Sequence, residues 1–206
     1  MNEETPRTVF LIDDDPAVRE SLSMLLESEG YTVAAFASGV AFLAAYAPGT
    51  PGCALLDLHM PDMDGLQLQA EMARRGLALP IVFLTGFGDI PTTVTAIKAG
   101  AVDFLSKAAT SEAVFASVAA AMQEDEHRRE RAHRNHSAAE RLSRLTERER
   151  AVMRLAVQGL ANKEIARRLG ISHRTVEIHK AQVMKKTGTD SVVELARVFR
   201  EAGNGE

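Results

Sequence analysis

Five short apolar runs in the first half of the chain, four of which lead directly into polar residues, restrict the fold more than any other feature. The runs are residues 9–12, 31–35, 53–56, 80–84 and 102–105. Such runs are typical of strands buried on both faces. The stretches between them predict helices at 16–29, 40–46, 66–75, 91–99 and 111–122. This alternation predicts an α/β domain whose parallel sheet is covered by helices on both faces.

The residues that follow four of these runs have the chemistry of a phosphate site. Asp13 and Asp14 follow the first run, Asp57 the third, Thr85 the fourth, and Lys107 lies just beyond the fifth. Because the carboxyl ends of parallel strands meet at one edge, we expect these side chains to lie together. Clustered carboxylates favour a cation such as Mg²⁺, and phosphoryl transfer to a carboxylate uses such an ion, a hydroxyl and a lysine. The alternative, a helix cap and a solvent-facing lysine, explains each residue alone but not all of them together.

Charge divides the chain into an acidic and a basic half. Residues 1–122 carry 6 Lys and Arg against 15 Asp and Glu, and residues 123–206 carry 18 against 13. The basic half is expected to meet a polyanion.

Cys53 is the single cysteine, which excludes an intramolecular disulfide and favours a core thiol. With no apolar run near 18 residues and no basic, apolar leader, the protein is expected to be soluble and cytoplasmic, without a membrane segment.

A charged stretch from residue 123 to residue 144 separates the halves. It lacks a stop signal before residues 135–137, and its Glu and Arg residues recur at three- and four-residue spacing, which predicts a helix continuing out of the first domain. A coiled coil is not favoured, because the apolar spacing lands on charged positions. His127, His133 and His136 could suggest a metal site, but no fourth ligand is fixed. We therefore expect a solvated linker helix.

The second half predicts two short helices joined by a glycine-containing turn. Thr146 or a neighbour caps the preceding helix, Asn162 is expected to cap a short helix, and Ser172 caps a helix from 173 to about 186. The last helix has an expected inward stripe of Val176, His179 and Val183. Residues 145–200 hold 12 basic and 6 acidic residues, which suits a phosphate backbone. The pattern predicts a helix-turn-helix.

Residues 7–122 resemble the receiver domain of bacterial two-component response regulators. The resemblance rests on residues 9–15, 57–65, 84–86 and 98–107, which read VFLIDDD, DLHMPDMDG, LTG and KAGAVDFLSK. It implies a CheY-like, doubly wound sheet of five strands in the order 2-1-3-4-5. It also implies that Asp57 is the phosphoacceptor for a partner sensor histidine kinase.

The same resemblance assigns roles to the neighbouring residues. Asp14, the Asp57 carboxylate and the backbone carbonyl of His59 would bind Mg²⁺, with Asp13 acting through water. Thr85 and Lys107 would hold the phosphoryl group. Phe104 corresponds to the switch aromatic, although ordinary strand packing is an alternative. The receiver dimer face implied by the resemblance contains Val94, Lys98 and Phe104.

Ala108 departs from the family pattern, which usually has proline after the strand-five lysine. A cis bond before a non-proline residue costs about 2.5–4 kcal/mol, so we expect a trans Lys107–Ala108 bond. We predict slower phosphorylation, a shorter-lived aspartyl phosphate or a rearranged loop.

Residues 142–203 are similar to the LuxR/FixJ-type DNA-binding domain through the motifs LTERE, NKEIA and ISHRTVEIH. The resemblance implies an all-α, four-helix domain whose third helix enters the major groove. Candidates for base contacts are Glu177, Ile178 and Ala181, and candidates for phosphate contacts are Arg174, Thr175, Lys180 and Lys185. Glu177 could instead pair with Lys180 or Lys185. His179 is expected to complete the core, and residues 191–199 to form a dimerisation helix.

The whole chain therefore resembles a FixJ/NarL-type regulator, with a receiver domain at 1–122, a helical linker at 123–141 and a DNA-binding domain at 142–206. The resemblance implies a phosphorylation-controlled transcription factor, an activator rather than an enzyme. It would form a homodimer on phosphorylation, bind double-stranded promoter DNA and contact RNA polymerase. Two alternatives are a Mg²⁺-dependent phosphatase or phosphotransferase and a DNA-binding protein regulated without phosphate.

Overall fold

The computed structural model describes residues 8–86, 97 and 99–204. The chain forms two compact units, Met1–Arg128 and Arg129–Glu206, which are described separately. The linker boundaries at residues 122 and 141 remain predictions. The described residues contain no helix that is long and apolar enough to cross a bilayer.

The first unit is built on a parallel five-stranded sheet. Its strands are β1 (Thr8–Ile12), β2 (Thr32–Phe36), β3 (Gly52–Asp57), β4 (Ile81–Thr85) and β5 (Asp103–Ser106). Their spatial order is β2-β1-β3-β4-β5, which confirms the predicted doubly wound topology. Every residue of β3 is buried, as the uninterrupted apolar run indicated.

Helices cover both faces of this sheet. They are α1 (Pro16–Ser28), α2 (Gly39–Ala45), α3 (Gly65–Arg74) and α4 (Ser111–Ser143). The predicted helix at 91–99 lies outside the described residues except for 97 and 99. Alternate residues of β3 enter different cores: Leu56 packs with Phe42 and Phe83, and Leu55 packs with Leu11 and Val118. The two cores hold the sheet between the helix layers.

Helix α4 continues far beyond the predicted core helix at 111–122, as the missing stop signal indicated. It is not solvated throughout, however, and that part of the expectation was wrong. Asp125 is 8% exposed, and its Oδ2 accepts a hydrogen bond from Gly52 N at 3.1 Å. Near the other end of the helix, Ala138 and Leu142 are buried in a core with Leu195. Composition alone does not distinguish these inward positions from their charged neighbours.

The second unit adds four helices to the end of α4. They are α5 (Glu147–Val157), α6 (Asn162–Leu169), α7 (His173–Thr187) and α8 (Val192–Phe199), followed by a π-helical turn at Arg200–Asn204. Thr146 and Ser172 cap α5 and α7, as predicted. Val152, Ile165 and Val176 join α5, α6 and α7 in one core. The left-handed Gly170 (φ 65°) ends α6 and forms the tight turn that leads to α7.

Candidate functional site

Three carboxylates meet at the carboxyl edge of the sheet. Strands β1 and β3 are neighbours with Ile12 opposite Leu56, so the residues that follow these two lie side by side. One oxygen each from Asp13, Asp14 and Asp57 lies within 4.8 Å of the others. Asp13 and Asp57 are buried, and Asp14 is exposed. The structure thus brings together the acidic residues that the strand pattern predicted.

Lys107 joins this cluster from the end of β5. Its Nζ lies 2.6 Å from Asp13 Oδ2 and 2.9 Å from Asp57 Oδ2, and its backbone N donates to the Thr85 carbonyl at 2.7 Å. Burial alone would lower the pKa of Lys107, but the interactions with Asp13 and Asp57 outweigh burial and raise it. The site therefore contains a fixed cation shared by two carboxylates.

Asp13 is the least satisfied member of the cluster. It is fully buried, and burial raises the pKa of its carboxyl despite the opposing influence of Lys107 and of the Asp15 amide. The Lys107 ammonium, 2.6 Å from Asp13 Oδ2, is shared with Asp57 and does not outweigh the effect of burial. A buried acceptor of this kind, beside two further carboxylates, fits a divalent cation with oxygen ligands.

The loop after β3 closes tightly over the backbone of Asp57. His59 is exposed, and its backbone N donates to Asp57 Oδ1 at 3.3 Å. At Gly65, a Cβ atom would lie 2.6 Å from the Asp57 carbonyl oxygen, so only glycine permits this approach. Thr85, which ends β4, is buried at the same sheet edge. The fold thus places Thr85 at the same sheet edge as the carboxylates, with its backbone carbonyl bonded to Lys107 N.

The surroundings of Lys107 test one further expectation, the trans peptide bond. The described residues contain no cis peptide bond, so the trans Lys107–Ala108 bond is confirmed. Ser106 Oγ accepts a hydrogen bond from Ala108 N at 3.1 Å. Phe104 is half-buried, with its ring centroid 6.0 Å from that of Phe83. The other two residues of the predicted dimer face, Val94 and Lys98, lie outside the described residues.

Helix α7 presents an exposed row in the second unit. Arg174, Glu177, Ile178, Ala181 and Lys185 are exposed, and Thr175, His179 and Lys180 are half-buried. Ile178, a large apolar side chain, is 53% exposed in the middle of this row. Its position next to cations and hydrogen-bonding groups suits a surface that reads nucleic acid.

One expectation about side-chain partners in this unit was wrong, and one alternative is not observed. Asn162 is the first residue of α6 and does not cap it; the N-cap is Ala161, and the Asn162 Oδ1 accepts from Lys180 Nζ at 3.0 Å. Within the described ranges, the acidic side chain of Glu177 pairs with His173 (Nδ1 to Oε1, 3.6 Å) rather than with Lys180 or Lys185. Contacts between α6 and α7 could not be deduced from local spacing.

The sequence also contains no indication of two side-chain hydrogen bonds. Arg19 Nη1 donates to the Asp13 carbonyl at 2.7 Å, and Lys186 Nζ donates to Glu149 Oε2 at 2.6 Å. The capping box of Thr146 and Glu149 is visible in the sequence, but its distant lysine partner has no local signal.

Comparison with known proteins gives matches over most of the chain. Residues 9–119 match the family of response regulator receiver domains, and residues 143–199 match bacterial regulatory proteins of the luxR family. The transcriptional regulatory protein FixJ of Azorhizobium caulinodans is 43% identical over 195 residues, covering 95% of this chain and 92% of that protein. Nodulation protein W of Bradyrhizobium diazoefficiens is 40% identical over 199 residues, covering 97% and 88%. The solved structure of response regulator StyR is 38% identical with a TM-score of 0.83, covering 95% of this chain and 99% of that one.

Proposed function

Because the chain belongs to the two-component response regulators of the NarL/FixJ type, we propose that phosphorylation of Asp57 by a partner sensor histidine kinase controls its binding to promoter DNA. The protein is a transcriptional regulator and not an enzyme. The observation that carries the proposal is the buried Asp57 carboxylate, which has Lys107 at 2.9 Å and two acidic neighbours.

Each residue of the acidic edge has a part in this proposal. Asp57 accepts the phosphoryl group, and Lys107 and Thr85 hold its oxygens. Asp14, Asp57 and the His59 carbonyl would hold Mg²⁺, with Asp13 acting through water. Bound there, the ion would neutralise the phosphoryl oxygens. Lys107 already contacts Asp57, so it needs only a short displacement to reach a phosphoryl oxygen.

The output depends on surfaces remote from Asp57. Movement of Thr85 toward the phosphate lets Phe104 turn inward, and the face with Val94, Lys98 and Phe104 then forms a homodimer. The second unit binds DNA through α7 in the major groove, and α8 extends the dimer. Base edges are contacted by Glu177, Ile178 and Ala181, and phosphates by Arg174, Thr175, Lys180 and Lys185. The regulator acts in the cytoplasm as an activator that contacts RNA polymerase.

The Asp57→Asn variant tests the proposal. We expect a small phosphodonor such as phosphoramidate, with Mg²⁺, to phosphorylate and dimerise the wild type and to increase its affinity for promoter DNA. The variant should show none of these responses in phosphate-affinity gels, light scattering and fluorescence anisotropy. Donor-dependent dimerisation of Asp57→Asn would contradict the proposal. Equal DNA binding by both proteins with and without donor would support regulation without phosphate.

A further inference from the structure

The hydrogen bond between Asn162 and Lys180 joins the two helices of the helix-turn-helix. Asn162 is the first residue of α6, and Lys180 lies midway along α7. The bond is 3.0 Å long and partly buried. Asparagine near a helix start commonly accepts from the helix's own amides, but the Asn162 side chain is directed to the neighbouring helix instead. The contact therefore fixes the lysine rather than the start of α6.

The chemistry of the pair leaves the positive charge of Lys180 intact. An ammonium has three donors, and the Asn162 amide oxygen occupies only one of them. The amide is neutral, so it orients the ammonium without cancelling its charge. In the described part of the chain, no carboxylate forms an ion pair with Lys180, because Glu177 faces His173 and Glu164 faces Arg168. Lys180 thus presents a fixed charge with donors remaining.

The position of Lys180 around α7 indicates what this charge can reach. At about 100° per residue, Lys180 lies roughly 140° from the centre of the exposed row of Arg174, Ile178 and Lys185 and roughly 40° from Val176. It is on the flank of α7 that faces α6, between the exposed row and the buried Val176. When the exposed row lies against base edges, a flank of the helix faces the wall of the groove, where the phosphates are.

We propose that Asn162 is a positioning residue for DNA binding, which holds the Lys180 ammonium ready for one backbone phosphate. This inference rests on the proposed binding of DNA by α7. A free lysine loses side-chain entropy when it becomes fixed on a ligand, and a lysine that is already fixed loses less. The amide of Asn162 thus raises affinity without contributing a charge of its own.

A salt titration with full-length protein separates charge from positioning. The probe is a fluorescein-labelled duplex of mixed sequence, and anisotropy gives the dissociation constant from about 50 to about 200 mM KCl. Lys180→Met, which keeps the aliphatic stem, should reduce the slope of log affinity against log salt by about 0.9 per protomer. Asn162→Leu should weaken binding by a factor of about 3–10 and leave the slope unchanged, because the charge remains. Asn162→Asp should resemble Lys180→Met, because its carboxylate competes with the phosphate.

A double-mutant cycle supplies the control. Asn162→Leu should have no further effect in the Lys180→Met background, because it acts only through the lysine. Additive losses, or an unchanged slope for Lys180→Met, would overturn the inference. An affinity loss that follows the melting temperature by circular dichroism across Asn162→Leu and Asn162→Gln, rather than the presence of the amide oxygen, would also overturn it. If the wild type binds no duplex with or without phosphodonor, the proposed function fails as well; if it binds and only the variants disagree, the inference alone fails.

Discussion

Two buried carboxylates, one in each unit, have a lysine at the same distance, yet their pKa values are shifted in opposite directions. Lys107 Nζ lies 2.6 Å from Asp13 Oδ2, and Lys186 Nζ lies 2.6 Å from Glu149 Oε2. Burial dominates at Asp13 and raises its pKa, whereas the hydrogen bond from Lys186 dominates at Glu149 and lowers its pKa. Proximity to a lysine therefore does not decide whether a buried acid is stabilised.

The two pKa shifts differ because the two carboxylates differ in their other hydrogen-bond partners. Lys107 is shared between Asp13 and Asp57, so it offsets the burial of Asp13 only in part. Glu149 also accepts from the Thr146 amide at 2.8 Å, which completes a capping box. An incompletely satisfied acid is typical of a site awaiting a ligand, and a fully satisfied one is typical of a structural tie. The same kind of charged pair thus lies in the proposed phosphoryl site of one unit and in a helix cap of the other.

The largest loss of stability should come from replacing Glu149, which accepts hydrogen bonds from Thr146 and Lys186. Glu149→Ala should lower the free energy of unfolding of the second unit by about 2–3 kcal/mol, because it removes the capping bond and leaves Lys186 without its carboxylate. Urea unfolding can be followed in a Phe199→Trp background, since the chain has no other tryptophan. The matched control is Glu147→Ala, whose side chain is 95% exposed and which should change stability by less than about 0.5 kcal/mol. Equal effects of the two substitutions would remove the distinction drawn above.

Acidification should remove part of the same stabilisation. The lowered pKa of Glu149 means that its contribution is present above its ordinary value of 4.5 and is lost as pH falls through the folded pKa. The stability difference between wild type and Glu149→Gln should therefore shrink below about pH 4.5. Urea unfolding at a series of pH values measures this difference. A difference that grows on acidification would mean that the carboxylate is not stabilised by its charge.

Replacing Asp13 should raise the stability of the first unit, the opposite of the effect expected at Glu149. The raised pKa of Asp13 means that the folded first unit holds this proton more tightly than the unfolded chain, so its stability falls as pH rises through the raised value. In buffer with a chelator, Asp13→Asn should stabilise this unit at neutral pH by about 1 kcal/mol. Fluorescence of Tyr31 and Tyr46, which both lie in this unit, reports the unfolding. Exposed Asp14→Asn is the control, and a destabilised Asp13→Asn would show that Lys107 fully compensates the buried charge.

The smallest effect concerns the loop that carries Lys107. Ala108→Pro removes the amide that donates to Ser106 Oγ and restricts the backbone after the lysine. We expect it to change the rate of phosphorylation by a small phosphodonor, or the lifetime of the product, by a factor of a few, which corresponds to less than about 1 kcal/mol of activation free energy. Phosphate-affinity gels measure both rates. Unchanged kinetics would show that Ala108 does not limit how Lys107 reaches the phosphoryl group.

The sequence predicted the acidic sheet edge of the first unit better than the Glu149–Lys186 pair of the second. Apolar runs that end in Asp13, Asp57 and Thr85 are enough to predict the sheet and its acidic edge, because parallel topology converts strand ends into neighbours. The tie between Glu149 and Lys186 spans 37 residues and depends on how α5 packs on α7. Local spacing contains no information on that packing.

The buried Asp125 illustrates the same limit. It lies in a run of three acidic residues, Glu124 to Glu126, and only the middle one is buried. Its Oδ2 accepts from the backbone N–H of Gly52. Because every residue except proline has a backbone N–H, the sequence does not reveal this contact. The wrong assignment of Asn162 as a cap has the same origin, since its partner lies on another helix. Prediction from sequence succeeded where topology alone fixes the neighbours and failed where side-chain packing does.

The buried thiol of Cys53 makes the protein suited to site-specific labelling. Burial, together with the nearby Asp125, raises the pKa of this thiol to about 12. Maleimides react with exposed thiolates, and this thiol is both fully buried and kept protonated at neutral pH. A cysteine introduced on the exposed row of α7 or near Asp57 would therefore react selectively without removal of the native one. Pairs of dyes or spin labels placed in this way could report the distance between the two units before and after phosphodonor is added.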